Sequence, residues 1–312
     1  MVNSREHPLA ESTDPKWEAR LTTTCTRPPL CGAADAERWA DLIFNREFRN
    51  RTWGYNKMIE IVNYNRHAWD REVEKGSVWT LPVDPSVIAR ARKGDWTIVL
   101  TPTKPVPQDW FPPLAGKKVL CLACGGGQQG PILAATGAEV TVLDNSPKQL
   151  ERDRMVAQRE KLSLRTELGD MRDLGRFSSE YFDVVIVAGT CFVDDITVVW
   201  KEVSRILKRS GILIAGCGNP IEYIFDLKAW NTGQLVVRHK IPYSDVVDLS
   251  EEERNELIVA KDEPLCVGHS LYDLIQGQIE VGLSIVGFYE DKGGGPLDEY
   301  IDTSFVTKAV KL

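Results

Sequence analysis

The stretch Val119-Leu120-Cys121-Leu122-Ala123-Cys124-Gly125-Gly126-Gly127-Gln128-Gln129-Gly130 decides how this chain of 312 residues folds. A short apolar run, 118–123, enters a triglycine bend, and residues 131–136 follow with helical spacing. Pro131 suits a first helical turn and Gly137 a C-terminal cap. Glycine lets the backbone approach a ligand closely, and the helix N-terminus after it favours a negative group. The next apolar run, 139–143, is followed by Asp144, 19 residues after Gly125. An acid at that place is positioned to accept hydrogen bonds from two ribose hydroxyls. Strand, glycines, helix, strand and acid in this order point to a cofactor that contains a nucleoside.

Outward from that stretch the punctuation stays regular. Ser146-Pro147-Lys148-Gln149 reads as a capping box with proline at the first helical position, opening a helix that runs to about 162. Residues 164–168 read as a third strand. Residues 181–188 are a fourth, apolar on both faces as a buried parallel strand should be. Ile196, Val199, Trp200, Val203, Ile206 and Leu207 form an amphipathic stripe, closed by Lys208 and Arg209 before Gly211. A fifth strand is expected at 212–216. This alternation predicts a doubly wound parallel sheet.

The alternation breaks at 218–268, which reads as an inserted cap: a short helix at 221–230, a strand-like run at 235–241 and an acidic helix opened by Ser250 in a second capping box. A helix at 271–281 then precedes strands at 283–290 and 305–312. With no helix between them, those two are expected to pair as an antiparallel hairpin. On the N-terminal side, residues 56–74 have helical periodicity, with Met58, Ile61, Val62, Trp69 and Val73 tending to one face. Residues 84–93 read as a shorter helix, and 101–113, with five prolines, as an extended linker. The expected organisation is an N-terminal extension at 1–54 with weak helical spacing at 34–44 and a Pro/Cys patch at 26–31. A helical lid with its linker follows at 55–113, then the cofactor-binding core at 114–217, the cap at 218–268 and the rest of the core at 269–312.

Composition narrows the function. Lys and Arg number 38 against 45 Asp and Glu, for a net charge of −7. The basic footprint of a nucleic-acid binder is missing. No run approaches the roughly 20 apolar residues that span a bilayer, so no membrane partner is expected. The first residues lack a signal-peptide apolar region, and seven cysteines, several in apolar strand patterns, suggest reduced thiols and a cytoplasmic location. Four histidines without an HExxH argue against a zinc hydrolase. Cys121 and Cys124 form a CxxC with no second pair nearby, so they read as packing residues and no metal is expected.

Two cofactors compete for the triglycine bend. Gly125-x-Gly127-x-x-Gly130 satisfies the dinucleotide fingerprint, which keeps an NAD-dependent oxidoreductase in view. Three features favour S-adenosylmethionine: Gly169-Asp170-Met171 after the third strand, where an acid can meet an adenine amino group, and, as resemblances to methyltransferase sheets, the reversed terminal strand pair and Phe182-Asp183-Val184-Val185 opening the fourth strand. From about Tyr55, and most clearly from Lys118, to the C-terminus the chain resembles class I S-adenosylmethionine-dependent methyltransferases. The likeness is to a bacterial small-molecule group with a CLACGGGQQGP…VTVLDNSP run. It implies a Rossmann-like seven-stranded α/β sheet with a C-terminal antiparallel hairpin. It also implies that Ala123, Gly125 and Gly127 line the methionine part of the cofactor and that Asp144 holds the ribose. Asn145 would lie against adenine, Asp170 and Met171 at the adenine edge, and Ala188 beneath the sulfonium. One departure stands out: Cys121 occupies the place of an acid that helps hold the cofactor's ammonium, and Gln128 is the candidate substitute.

Sulfonium methyl transfer is an in-line displacement, so the protein mainly aligns the reactants and excludes water. A base is needed only where the acceptor must lose a proton. Seven of nine tryptophans (Trp17, Trp39, Trp53, Trp69, Trp79, Trp96, Trp110) precede residue 111, which suggests an aromatic lid over the cofactor. Within it, Tyr64 and His67 are the candidate catalytic residues. Asn65, Trp69, Cys191, Tyr223 and His269 are the candidate acceptor pocket. The expected activity is methyl transfer to a small molecule. The alternative keeps the cofactor but reacts its aminocarboxypropyl arm, by transfer or cyclisation, releasing methylthioadenosine. A cofactor-binding regulatory protein without turnover is a further reading.

Overall fold

The computed structural model describes residues 55–312, with side chains from Ile61 onward, all within one unit, Gly54–Leu312. The expectations for 1–54, including Trp17, Trp39 and Trp53, lie outside the described residues. The described part begins with α1 (Tyr55–Lys75) and α2 (Pro85–Ala91). It then alternates through β1 (Lys118–Leu122), α3 (Gln129–Ala135), β2 (Glu139–Asp144), α4 (Pro147–Glu160) and β3 (Leu164–Leu168). β4 (Phe182–Val187), α5 (Ile196–Ile206) and β5 (Leu207–Gly218) follow. The 218–268 segment holds α6 (Leu227–Trp230), β6 (Tyr243–Ser244), α7 (Asp245–Asp248), α8 (Glu251–Leu257) and β7 (Val267–Gly268). A π-turn (Tyr272–Gln276), α9 (Gly277–Glu280), β8 (Leu283–Asp291) and β9 (Ser304–Lys311) complete it.

Seven strands form one sheet in the order β3-β2-β1-β4-β5-β9-β8. β1 to β5 run parallel, with Leu122 opposite Leu143 on one side and Val187 on the other. β9 is antiparallel to both β5 and β8. Alternation along β1 divides two cores across the sheet, because successive strand residues face opposite sides. Leu120 and Leu122 pack with Trp200, Val203 and Ile206 of α5. Val119 and Cys121 pack with Ile132, Leu133 and Val156 from α3 and α4. Trp200 is completely buried, donates its indole N–H to the Asp273 carbonyl at 2.9 Å, and packs against Gly277, where a Cβ would come within 3.0 Å of its ring. Among the described residues no helix is long and apolar enough to cross a membrane.

Several local expectations are corrected. The proline-rich 101–113 stretch is packed: Val106 and Phe111 are buried in the α3/α4-side core. The buried Asp291 carboxylate accepts from the Thr103 and Lys104 backbone N–H groups at 2.8 Å. Lys208 and Arg209 do not cap α5, because Leu207 already pairs with Phe182 as β5 begins. Lys208 instead reaches Asp183 at 2.9 Å. The 235–241 run forms no strand beyond a single Phe225–Val237 bridge; Val236 and Val237 have no sheet face to cover them and stay exposed. Ser146 caps α4 by accepting from the Gln149 N–H, but the Gln149 side-chain oxygen does not return to complete the box and has no partner. At α8 the box is complete, with Ser250 and Glu253 satisfying each other's backbone N–H.

Candidate cofactor and acceptor site

A cavity of about 310 Å³ opens where the parallel strands end. It lies over the β1–β4 boundary, the switch point at which doubly wound sheets bind ligands. Its floor is Ala123–Gly125 after β1, Asp144 at the end of β2 with Asn145, Gly169–Met171 after β3, Ala188–Val193 after β4, and Gly216–Gly218 of β5.

The triglycine bend is forced by what surrounds it. A Cβ on Gly125 would come within 2.6 Å of the Gln149 Cβ and 2.8 Å of Asp144 Oδ2. Gly126 sits at φ +113°, where a Cβ would meet the Trp79 carbonyl oxygen at 2.7 Å. Ala123 adopts φ +49°, a left-handed conformation for a residue with a Cβ, in the floor of the cavity. The bend is braced from α4: the fully buried Asp153 accepts the Gly126 N–H at 3.1 Å.

Asp144 is almost entirely buried. Its Oδ2 accepts the Gly125 N–H and its Oδ1 the Ser146 N–H, each at 2.9 Å. Each oxygen keeps a further lone pair, as a diol requires. Burial pushes this carboxyl up to about 6, against the pull of the backbone donors. Gln149 is 95% buried, lines the cavity, and its Oε1 has no partner. An unpartnered buried acceptor is costly unless a ligand completes it. Together the glycine bend and the two-oxygen acceptor fit a ligand that carries a ribose, with the orphaned Gln149 amide as a further acceptor beside the bend.

The sequence-predicted residues are brought together in part. Ala123, Gly125, Gln128, Asp144, Asn145, Asp170, Met171 and Ala188 line the cavity, as do Asn65, Trp69 and Cys191. Gly127 does not; it turns toward Pro82 and Val156, and its carbonyl accepts from the Val83 N–H. Tyr64 and His67 are also outside. α1 turns about 100° per residue, and Val62, Asn65 and Trp69 are the positions that face inward. Tyr64 donates to the Glu263 carbonyl at 2.9 Å, and His67 is exposed. His269 is buried behind the turn after β4, where its Nε2 donates to the Thr190 carbonyl at 3.1 Å. Burial holds its ring below the ordinary imidazole range, as a neutral structural group. Tyr223 stacks on Tyr243 outside the lining. Cys121 is fully buried on the α4 side and never reaches the cavity; burial pushes its thiol up.

Many polar groups expected to contact ligand are occupied by fastening the N-terminal elements to the core. Asn145 donates to the Val62 carbonyl at 2.8 Å and accepts from Arg66 at 3.2 Å. Asn65 exchanges two bonds with the backbone of Leu265, at 3.0 and 2.8 Å. Gln128 donates to the Val78 and Leu81 carbonyls. The Asp170 carboxylate is taken by the Arg172 guanidinium, which also reaches Asp194. The sequence reading missed Gln149, Asp153 and the Val99–Pro102 wall, while Trp79, one of the tryptophans expected in an aromatic lid, does line the cavity. Gln149 and Asp153 are one helical turn apart, and that spacing, with the helix starting beside Asp144, was the available signal. The aromatic area also divides: Trp69 meets Phe192 edge-on at 5.2 Å and Trp79 lines the cavity. Trp96 packs on Phe111 and Trp110 on Tyr289 instead.

Comparison with known proteins is consistent with this geometry. Residues 120–215 match a family model described as a methyltransferase domain. The chain is similar to an uncharacterized methyltransferase, YbaJ, of Bacillus subtilis (strain 168), with 52% identity over 256 residues, 82% of this chain and 100% of the relative. A ubiquinone biosynthesis O-methyltransferase of Xanthomonas oryzae pv. oryzae is 28% identical over 146 residues, 44% of this chain and 59% of its own length. An S-adenosylmethionine dependent methyltransferase from Mesorhizobium loti shares the fold, with a TM-score of 0.51 at 17% identity over 65% of this chain and 95% of that one. The antiparallel end of the sheet and these likenesses set the nicotinamide reading aside. Matched along a relative's whole length, the chain belongs to the S-adenosylmethionine-dependent methyltransferases of the class I fold.

Proposed function

We propose that this methyltransferase acts on a small, uncharged, largely apolar acceptor, held between α1, the 79–102 wall and the turn after β4. The observation that carries the reading is the lining at that end: Val62, Trp69, Trp79, Val99, Leu100 and Phe192, with Thr190, Cys191 and Ser304 as polar points. An ionised acceptor would lose its hydration there without a charged partner. The cavity of about 310 Å³ must take the cofactor as well, so the room left at this end suits a compact acceptor. Likeness to an enzyme named for ubiquinone biosynthesis agrees with small-molecule chemistry.

S-adenosylmethionine supplies an activated methyl group, which leaves alignment and exclusion of water to the protein. Asp144 accepts the ribose hydroxyls. Gln149 Oε1 accepts from the ammonium end, beside Ala123 and Gly125, and takes over the part expected of Gln128. Asn145 and Met171 flank adenine, with Asp170 held in place by Arg172, and Ala188 lies beneath the reacting centre. Residues 55–113 act as the lid and 218–268 as the cap, joined to each other through Asn65 and Leu265.

The test is incubation with methyl-labelled S-adenosylmethionine and, in separate tubes, a small-molecule extract of host cells, total protein and total RNA. Label is expected in a neutral, organic-extractable product, with S-adenosylhomocysteine formed alongside. Label confined to protein or RNA refutes the acceptor class. Methylthioadenosine as the coproduct refutes methyl transfer in favour of the other arm.

A further inference from the structure

Residues 261–266 run as a strap along α1. The Lys75 ammonium donates to the Lys261 carbonyl at 2.7 Å, Arg71 pairs with Asp262, Tyr64 reaches the Glu263 carbonyl, and Asn65 holds Leu265 at both backbone groups. The next residue, Cys266, turns its thiol toward the Pro264 carbonyl at 3.8 Å and lies beside the sulfur of Cys191, 75 residues earlier in the chain. Cys191 lies on the turn after β4 and lines the cavity, and β7 packs against that same turn. Tyr223 closes the cluster. It bonds to the Cys191 sulfur, and its ring lies where a Cβ on Gly268 would sit, at 2.7 Å. Among the described cysteines, Cys121, Cys124 and Cys217 are buried, whereas Cys191 and Cys266 are partly exposed.

We propose that Cys191 and Cys266 are a modification site: a peroxide converts them to a reversible intramolecular disulfide that fixes the strap, and α1 with it, across the acceptor end of the cavity. The Cys266 thiol and the Tyr223 hydroxyl both lie within hydrogen-bond reach of the Cys191 sulfur. The first of these contacts chiefly holds that thiol below its ordinary range, while burial opposes it. Cys191, which alone of the two lines the open cavity where a peroxide can enter, is the attacking sulfur, since the thiolate is the nucleophile. It attacks one peroxide oxygen, the O–O bond breaks, and hydroxide leaves with the electron pair, giving a sulfenic acid. The Cys266 sulfur then attacks the Cys191 sulfur, the S–O bond breaks, and the departing oxygen leaves as water with the Cys266 proton. Two thiols lose two electrons and two protons, and hydrogen peroxide becomes two waters.

The inference is independent of the acceptor, and its test needs neither cofactor nor turnover. The full-length chain is treated with hydrogen peroxide, alkylated, digested without reduction and mapped by mass spectrometry. A cross-linked pair of peptides carrying Cys191 and Cys266, lighter by two hydrogens than their sum and released by dithiothreitol, is the expected result. It should persist in Cys217→Ser. In Cys266→Ser, Cys191 should accumulate as a sulfenic acid that dimedone traps. The proposal is overturned if both thiols remain alkylatable at peroxide concentrations that oxidise free dithiothreitol. It is equally overturned if Cys191 or Cys266 pairs instead with Cys25, Cys31 or Cys217.

Discussion

Replacing Asp144 by asparagine tests the cofactor geometry with almost no change in shape. Both carboxylate oxygens already accept a backbone N–H at 2.9 Å, from Gly125 and Ser146. An amide has one oxygen, so one of these donors would face an NH₂ group, and the charge offered to the ribose hydroxyls would vanish. A hydrogen bond to a charged group is worth about 1.5–3 kcal/mol, which converts to about a ten- to hundred-fold loss of affinity for S-adenosylhomocysteine. Titration calorimetry reads this directly, with far-UV circular dichroism to show that the variant is folded. The wild-type protein carries an internal control. Burial raises the Asp144 carboxyl from 3.8 to about 6, so without cofactor its contribution to stability is fully present below about pH 4 and lost as pH rises toward 6. Hydroxyls donated to the ionised form oppose that loss. Affinity should therefore rise with pH across the same window in the wild type and stay flat in Asp144→Asn. A folded Asp144→Asn protein that binds within about twofold of wild type at pH 8 would refute the ribose assignment.

Other consequences are as specific. Gly126→Ala forces a Cβ to within 2.7 Å of the Trp79 carbonyl at φ +113°. Binding of S-adenosylhomocysteine should fall at least tenfold in calorimetry while the protein stays folded, and unchanged binding would contradict the close fit of the bend. Asn65→Ala leaves the Leu265 N–H and carbonyl without their partners. An unfolding loss of about 1–3 kcal/mol per unpaired group is expected, with faster hydrogen exchange confined to 261–266 and α1. Uniform exchange across the molecule would show that Asn65 is not a fastening between lid and cap. Trp200→Ala removes the largest fully buried side chain and should cost about 3–5 kcal/mol in urea unfolding, whereas a loss below about 1.5 kcal/mol, less than the burial of such a side chain alone, would contradict its place as a core anchor.

Much of this architecture is written in periodicity. The β1 to β5 alternation, the unpaired-helix signal of the last two strands and the Ser250 box are local features, and local chemistry decides them. The 235–241 run shows where that logic fails. It has the composition of a strand but no neighbouring edge to bond, and pairing is a tertiary fact. The floor of the site was legible for a similar reason. Gly125, Asp144, Asp170 and Ala188 sit at strand ends, whose positions the sheet fixes. The walls were not. Tyr64 and His67 lie close to Asn65 in sequence, yet helix rotation turns them outward while Asn65 and Trp69 turn in. Likewise, nothing in the composition of Asn65, Asn145 or Gln128 reveals that backbone carbonyls two hundred or eighty or fifty residues away hold their amides. Asp153 shows the converse: a polar residue within a helical pattern reads as solvent-facing until its 0% exposure and its bond to the Gly126 N–H are seen.

A crystal structure of the protein soaked with S-adenosylhomocysteine tests the central claim most directly. The ribose hydroxyls should lie within hydrogen-bond distance of both Asp144 oxygens, with the ammonium at Gln149 Oε1 and the sulfur directed toward Trp69 and Cys191. A ligand seated elsewhere, or a ribose turned away from Asp144, would contradict the account.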